Sequence, residues 1–251
     1  MKSILILDAF ISDKVDEGIL SKFIDSSKTI SNDIKKLCYV SSIANIGIPT
    51  KEISITEETE WNPEKLHGDY AISKFGAETE VWRAHQEGVK VVIVNPGVIF
   101  GYGFPNQGSG LIIGKVKKGL LFYTKGKTGI IAIEDVINCM SLLMNSNVNG
   151  ERFTLVSENV NFNSLLTMVA KGLNVKPPSI YANKWLTSLG WRVDWLSSKI
   201  FFRKRKFTRA TSVSSHSIDT YENTKFITEL NYSFIKMDEY LINLAQEYKQ
   251  L

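Results

Sequence analysis

The sequence is short of cysteine, histidine and long apolar runs, and each shortage excludes a class of protein. Only two of the 251 residues are cysteines, which is too few for a disulfide-based fold and indicates reduced thiols in the cytoplasm. The three histidines lack the spacing of metal ligands, so no metal site is expected. No apolar run is long enough to span a bilayer, and the first residues do not form a signal peptide.

The rest of the composition is that of an ordinary globular protein. Hydrophobic residues make up 43% of the chain and charged residues 22%. The formal net charge of +4 is too small to indicate a nucleic-acid partner. The length allows one large domain, or one domain with a smaller lobe attached.

The clearest local pattern is a strand, a helix and a second strand in succession. Residues 35–42 predict a short buried strand that ends in two serines, of which Ser42 is the second. A helix from about Tyr70 to Gln86, closed by Gly88, leads to an apolar strand over residues 89–94 that runs into Pro96. Because neighbouring parallel strands end at one sheet edge, we expect Ser42, Tyr70 and Pro96 to border a single crevice.

Tyr70 and Lys74 lie one helical turn apart, so an ammonium group can stand beside a phenol. That neighbour favours the phenolate and allows Tyr70 to move a proton near neutral pH. The same spacing occurs three more times, in Tyr123/Lys127, Tyr221/Lys225 and Tyr232/Lys236. Only the first pair follows a strand that ends in a hydroxyl group, so the other three tyrosines are expected to lie away from the crevice.

Three motifs in this order carry a family resemblance. They are Val-Ser-Ser-Ile-Ala-Asn-Ile-Gly at 40–47, Tyr-x-x-x-Lys at 70–74 and Val-Asn-Pro-Gly-Val-Ile-Phe-Gly at 94–101. Together they resemble the extended short-chain dehydrogenase/reductases, also called the NAD-dependent epimerase/dehydratase family, and most of all its dihydroflavonol-reductase-like members. The resemblance covers roughly residues 35–250.

The resemblance implies hydride transfer between NAD or NADP and a small-molecule substrate, at a carbon that bears a hydroxyl or carbonyl group. It implies that Ser42 binds the substrate oxygen, that Tyr70 is the general acid/base, and that Lys74 assists Tyr70 and holds the nicotinamide ribose. The implied cofactor contacts are Tyr70, Lys74, Pro96, Gly97 and Val98.

The N-terminal residues depart from the family pattern. A dinucleotide-binding fold opens with a strand, a glycine-rich turn and a helix, because glycines let the backbone approach the pyrophosphate. Here a strand at residues 4–7 leads into residues 8–13, which contain no glycine, and a helix is expected near residues 17–27. The chain is therefore interpreted as lacking most of the N-terminal half of its Rossmann domain, in preference to an independent ligand-binding start without glycines.

Two hypotheses follow from that departure. The chain is either an NAD(P)-dependent oxidoreductase or epimerase, or a truncated, catalytically impaired remnant with no efficient cofactor binding. Weak binding of NAD or NADP is expected in either case, because Asp8 and Asp13 would repel the phosphates. An exposed sheet edge would also favour self-association, so a homo-oligomer is among the expected states.

The expected fold is α/β, with a partial doubly wound, Rossmann-like parallel sheet and a smaller C-terminal substrate lobe. Residues 1–150 are assigned to an incomplete dinucleotide-binding domain, and residues 151–251 mainly to the substrate lobe. Strands over residues 122–123 and 130–133 are expected to pair across a turn. The acidic loop around Glu57 is expected to be solvated.

The stretch from Trp185 to Phe202 is apolar and is followed by Arg-Lys-Arg-Lys at 203–206. An apolar helix face with a basic end is found in interfacial membrane helices and in core-packing helices with a solvated end. The core-packing interpretation is preferred, so no membrane partner is expected. Arg209, a little further on, resembles a family position that lines the substrate pocket and is a candidate to hold an anionic group.

Overall fold

The structure, a computed structural model, describes residues 3–8, 34–47, 54–203, 205 and 207–250. The helix expected near residues 17–27, and most of the glycine-free segment 8–13, lie outside these residues. The strands are β1 (Ser3–Asp8), β2 (Ile34–Val40), β3 (Val91–Pro96), β4 (Val98–Phe100), β5 (Phe122–Tyr123), β6 (Lys127–Ala132), β7 (Glu151–Leu155), β8 (Glu158–Asn161) and β9 (Ile180–Tyr181). The helices are α1 (Asp69–Gln86), α2 (Gly110–Lys117), α3 (Ile133–Asn145), α4 (Phe162–Leu173), α5 (Lys184–Ile200), α6 (Arg209–Ser214), α7 (Thr224–Leu230) and α8 (Met237–Tyr248), with a 3₁₀ turn at Ile43–Asn45.

The chain divides into two compact units that alternate along the sequence. The first unit is formed by Met1–Gly97, Ile133–Val156 and Tyr221–Phe234, and the second by Val98–Ala132, Ser157–Thr220 and Ile235–Leu251. Which residues serve a cofactor and which serve a substrate is a question of function, so the assignment of residues 1–150 and 151–251 to those two tasks stays a prediction.

The first unit contains a four-stranded parallel sheet in the order β1-β2-β3-β7. All six residues of β3 are buried, as is usual for parallel strands that are covered on both faces. Helix α1 connects β2 to β3 and packs Ala77, Val81 and Ala84 against Tyr39 and Ile93 in one hydrophobic cluster. The predicted α/β class with a parallel sheet is therefore confirmed.

Local signals set the ends of α1. The helix ends at Gln86, and Gly88 follows with a φ of +99°, in the left-handed region that glycine adopts at low cost. The prediction that Gly88 closes this helix is confirmed. Ala77 and Val81 are fully buried, as their helical spacing predicts, whereas Trp82 is only partly buried.

The second unit has a small mixed sheet and a helical core. Strand β6 pairs in parallel with β4 and antiparallel with β8, while β5 pairs with β9. The expected pairing of β5 with the strand after the turn is thus wrong, because each of the two strands is hydrogen-bonded to other partners. The core of the second unit includes a hydrophobic cluster with Phe100, Ile113, Leu165, Val169, Leu241 and Tyr248.

Candidate functional site

Ser42 lies just beyond the carboxyl end of β2, where it caps the 3₁₀ turn Ile43–Asn45. Its hydroxyl oxygen accepts a hydrogen bond from the Ala44 backbone N–H at 3.1 Å. That bond uses the oxygen as an acceptor, so the hydroxyl hydrogen remains available to a further group. Gly47 ends the same segment, and a Cβ there would lie 1.6 Å from the Glu60 carbonyl oxygen, which explains why the motif ends in glycine.

Lys74 connects the helix to the strand end. Its side chain is 2% exposed, and its Nζ donates to the carbonyl oxygen of Val40, the last residue of β2, at 3.1 Å. The same Nζ lies 5.9 Å from the centroid of the Tyr70 ring and 5.7 Å from that of Tyr39. Tyr70 is 57% exposed. The pair therefore presents an accessible phenol with a buried ammonium behind it, at the carboxyl end of β2.

The three residues predicted to border the nicotinamide follow one another at the end of β3. Pro96 is the last residue of that strand and pairs in register with Leu155 of β7. The Gly97 N–H donates to the Leu155 carbonyl at 2.9 Å, and Val98 is the first residue of β4 in the second unit. Pro96 and Gly97 are thus fixed to the sheet by backbone pairing.

The other Tyr-x-x-x-Lys pairs have different surroundings. Lys127 donates to the Thr220 hydroxyl at 3.1 Å, and Lys225 forms an ion pair with Glu151 at 2.6 Å. The Tyr232 hydroxyl donates to Asp135 at 2.7 Å, and burial together with this hydrogen bond raises the pKa of Tyr232. Tyr221 packs with Ile43 and Ile46 in the hydrophobic cluster beside the turn after Ser42, and the expectation that it lies away from the crevice stays a prediction.

A buried polar network beneath the Ser42 turn was not predicted from the sequence. Glu78 accepts hydrogen bonds from the side-chain amides of Asn45 at 2.6 Å and Asn95 at 3.0 Å. Asn95 also donates to the Ser42 carbonyl at 3.1 Å and to the Asn45 side-chain oxygen at 2.9 Å. The network therefore holds the turn that carries Ser42 against β3 and α1. Its signal was present, because Tyr70, Lys74 and Glu78 follow at intervals of four on a single helix.

Arg152 and Glu57 extend this network along β7. Arg152 donates to Glu78 at 3.3 Å and, through Nε and Nη2, to the Glu57 carbonyl. The Glu57 carboxylate in turn accepts from the Thr154 backbone N–H at 2.6 Å. Glu57 is only 6% exposed, so the expectation of a solvated loop is wrong at this residue. The ion pair of this network is Arg152 with Glu78, while the buried Glu57 carboxylate has a backbone N–H as its partner. Together these contacts hold the Glu57 loop against β7, since a buried carboxylate without a partner would be costly.

Polar atoms gather at the carboxyl ends of three neighbouring strands. The buried side-chain oxygens Ser41 Oγ, Asn95 Oδ1 and Thr154 Oγ1 have no hydrogen-bond partner among the described residues. They follow or belong to β2, β3 and β7, and Asn95 pairs in register with Thr154. Unsatisfied buried polar groups are rare in proteins and concentrate at functional sites. These three oxygens are buried, so the exposed Tyr70 ring, with the Lys74 ammonium behind it, is the part of this edge that a ligand can reach.

The second unit contains a basic cavity of about 620 Å³ between α5 and α6. Its lining includes Lys184, Arg192 and Arg209, and within the described residues no carboxylate lines it. Thr187 Oγ1 and His216 Nε2 lie 2.9 Å apart in its wall, and burial lowers the pKa of His216. Among the residues that the structure describes, no group of three His, Cys, Asp or Glu side chains is placed to hold a metal ion.

The parallel sheet and its connecting helices define the chain as a Rossmann-like α/β protein. The model of the NAD dependent epimerase/dehydratase family matches residues 23–156, and the chain therefore belongs to that family. A dihydroflavonol 4-reductase-like protein of Synechocystis is 27% identical over 159 residues, which are 61% of this chain and 46% of the relative. The chain thus spans about half the length of that curated relative.

Solved structures share the fold at low sequence identity. A nucleoside-diphosphate-sugar epimerase of Pseudomonas aeruginosa matches with a TM-score of 0.77 at 16% identity, over 98% of this chain and 76% of that one. A UDP-glucuronic acid 4-epimerase of Bacillus cereus, in complex with UDP-glucuronic acid and NAD, matches with a TM-score of 0.67 at 15% identity, over 93% and 67% of the two chains. At these identities the likeness establishes the fold.

Proposed function

We propose that the chain catalyses NAD(P)-dependent hydride transfer at a carbon bearing a hydroxyl or carbonyl group, through Ser42, Tyr70 and Lys74. The observation that carries the proposal is the position of the Lys74 ammonium, which is buried, bound to the Val40 carbonyl and 5.9 Å from the Tyr70 ring. An ammonium in that position favours the phenolate form of Tyr70, which is the form that can accept a proton.

Each residue has a distinct part in this proposal. Tyr70, being exposed, gives a proton to the substrate oxygen or takes one from it. Ser42, whose oxygen already accepts from Ala44, donates its hydroxyl hydrogen to the same substrate oxygen and stabilises charge that develops there. Lys74 steadies the phenolate and binds ribose hydroxyls of the cofactor, while Pro96, Gly97 and Val98 border the nicotinamide. NAD or NADP would supply or accept the hydride when bound.

The basic cavity of the second unit favours a ligand with an anionic group. Lys184, Arg192 and Arg209 supply positive charge there without a carboxylate in the described lining. The Bacillus cereus relative binds UDP-glucuronic acid, and the Pseudomonas aeruginosa relative is named for nucleoside-diphosphate sugars. We propose a small anionic molecule, such as a sugar nucleotide, as the substrate class. A homo-oligomer remains a prediction.

Turnover by the purified chain is the test. Sugar nucleotides and dihydroflavonols would be incubated with oxidised or reduced NAD and NADP, and the absorbance of reduced nicotinamide and the products would be followed. Tyr70→Phe keeps the ring but removes the transferable proton, so kcat should fall by about 10²-fold or more. Tyr123→Phe, in a pair of the same spacing, is the matched control and should stay within about twofold of the parent. Equal activity of Tyr70→Phe and the parent would refute the assignment.

The second candidate function is a catalytically impaired relative without efficient cofactor binding. It is favoured by residues 8–13, which contain two aspartates and no glycine where the family has a phosphate-binding turn. Each lost charge-assisted hydrogen bond is worth roughly 1.5–3 kcal/mol, so several would weaken binding by orders of magnitude. Calorimetric titration with NAD and NADP should then give a dissociation constant near the millimolar range. A low-micromolar value would eliminate this candidate.

A further inference from the structure

Helix α5 exposes an apolar stripe on the surface of the second unit. We call this stripe the α5 face; its residues are Trp185, Leu189, Val193, Leu196 and Ile200, and all are exposed. Their spacing of four, four, three and four residues puts them on one side of the helix over about 22 Å. Phe201 and Phe202 follow at the end of α5, and Phe202 is 95% exposed. The preferred interpretation of this stretch as a core-packing helix is therefore wrong.

The opposite side of α5 is polar and buried. Its buried residues are Thr187, Asp194 and Ser198, which lie roughly across the helix from the α5 face. Surface helices of globular proteins normally show the reverse arrangement, with apolar residues inward and polar residues outward. Trp185, the largest side chain of the stripe, is 72% exposed. A continuous exposed stripe of this size is characteristic of a surface that binds a partner or a membrane.

The sequence of α5 and of the segment after it carries charge of almost one sign. Between residues 184 and 218 the sequence contains one acidic residue, Asp194, and eight basic residues: Lys184, Arg192, Lys199, Arg203, Lys204, Arg205, Lys206 and Arg209. Asp194 is buried, where it binds Arg203 at 3.1 Å and the Phe207 backbone N–H at 3.1 Å. Arg192 and Lys199 are exposed and flank the apolar stripe on the helix. The region therefore presents apolar and positive groups together.

We infer that the α5 face and the basic residues around it bind the surface of an anionic lipid bilayer, with α5 lying in the interfacial plane. Apolar side chains including tryptophan and phenylalanine, with lysine and arginine at the margin, are the composition that such helices use. Each basic side chain near an anionic leaflet strengthens binding by about fivefold. Within the described chain no helix is long and apolar enough to cross a bilayer, so the contact proposed is one of surface attachment.

Charge complementarity favours a bilayer over a second copy of the chain. Two copies joined through their α5 faces would bring two strongly positive segments together, which is unfavourable unless counter-charges intervene. An anionic leaflet supplies the opposite charge over the whole length of the helix. Lys184, Arg192 and Arg209 also line the basic cavity, but no residue of the α5 face belongs to that cavity or to the strand-end site. Loss of turnover therefore does not test the inference, whereas the variants of the α5 face do.

Sedimentation with vesicles tests the inference on the purified full chain. Vesicles of phosphatidylcholine with about one third phosphatidylglycerol should bind the chain at least about tenfold more tightly than pure phosphatidylcholine, and salt should weaken the binding. Replacing two leucines of the α5 face, in Leu189→Ser with Leu196→Ser, should lower the partition coefficient by about tenfold or more. Lys199→Glu should lower it by roughly fivefold or more.

Matched variants on other helices test whether lipid binding is specific to the α5 face. Ile137→Ser with Leu142→Ser removes two exposed apolar side chains of α3, and Lys115→Glu makes the same charge change on α2. These variants should bind vesicles within about twofold of the parent. Equal losses in the matched variants would overturn the inference, as would failure of the parent to bind anionic vesicles at low salt. So would a dimer in sedimentation equilibrium that the leucine variant abolishes in the absence of lipid.

Fluorescence locates the contact even if a variant proves unstable. Trp185→Phe keeps an aromatic apolar group, so the variant should still bind anionic vesicles. Lipids with brominated acyl chains should quench the parent by a larger fraction than this variant, because Trp185 would be among the tryptophans that enter the bilayer. Identical quenching of the two proteins, or no quenching in the parent, would show that α5 does not insert.

Discussion

Replacing Glu78 by glutamine should destabilise the first unit far more than its conservative chemistry implies. The Glu78 side chain is 4% exposed, and both of its oxygens accept hydrogen bonds. One oxygen accepts from Asn45 and Asn95, and the other from Trp82 and Arg152, both at 3.3 Å. Glutamine keeps one acceptor oxygen and replaces the other by a donor. In either orientation, the amide NH₂ group would therefore face two other donors, and these three donors would have no acceptor between them.

The size of the effect follows from these four contacts. A hydrogen bond to a charged acceptor is worth roughly 1.5–3 kcal/mol, and two are lost at once. Removing one partner of a buried charged pair typically costs about 3–5 kcal/mol. The Arg152 side chain is 24% exposed and keeps its bonds to the Glu57 carbonyl, so solvent can compensate in part. We expect a loss of about 3 kcal/mol in the free energy of unfolding.

Urea denaturation followed by circular dichroism measures this loss. Glu80→Gln is the control, because Glu80 lies on the same helix and forms only a half-exposed ion pair with Arg83 at 2.9 Å. Its loss should stay below about 1 kcal/mol. Glu78→Gln should also lower any turnover, since Asn95 binds both Glu78 and the Ser42 carbonyl. If the two variants unfold at the same urea concentration, the buried network does not stabilise this unit as argued.

Three further predictions concern other residues of the first unit, with controls in the second. Lys74→Met should reduce both cofactor affinity and kcat by about tenfold or more, because the contact with Val40 and the charge near Tyr70 are lost. The control Lys115→Met should leave cofactor affinity and kcat unchanged. Gly47→Ala should lower the melting temperature, since its Cβ would overlap the Glu60 backbone, while Gly114→Ala, with nothing nearer than 3.8 Å, should be neutral or stabilising. Burial raises the pKa of Cys38 to about 12 and raises that of Cys139 as well. At pH 8 both thiols of the native protein should therefore resist a thiol reagent, whereas the same reagent should label both in urea. Rapid labelling of the native protein would contradict their burial.

Strand β3 could be predicted from the sequence because it begins as a continuous apolar run and has a clear end. Residues 91–94 are all buried, and Asn95 and Pro96 end the strand. The pairing of β5 could not be predicted in this way. Its two residues carry no pattern of their own, and their partner Ile180–Tyr181 is almost sixty positions away. Short strands are chosen by tertiary contacts more than by local sequence.

The motif residues of the site could be predicted, but the network that supports them could not. Ser42, Tyr70 and Lys74 were identified from motif order, and their catalytic roles stay predictions. The acidic and polar neighbours of Glu57 predict a solvated loop. Its burial depends on Arg152, a partner 95 positions later, and a single sequence does not reveal such pairs. Helix α5 also departs from its sequence pattern, because a periodic apolar stripe normally faces a core and this one is exposed.

The alternation of the two units has a consequence for the order of synthesis. The chain passes from one unit to the other five times, at residues 97/98, 132/133, 156/157, 220/221 and 234/235. A nascent chain that ends at Gly97 has β2, α1 and β3, but strand β7, which pairs with β3, is still to be made. The segment Tyr221–Phe234, which contributes the buried Phe226, leaves the ribosome later still. Neither unit can therefore be completed before the other is largely synthesised, and no single cut of the gene would yield one of them intact.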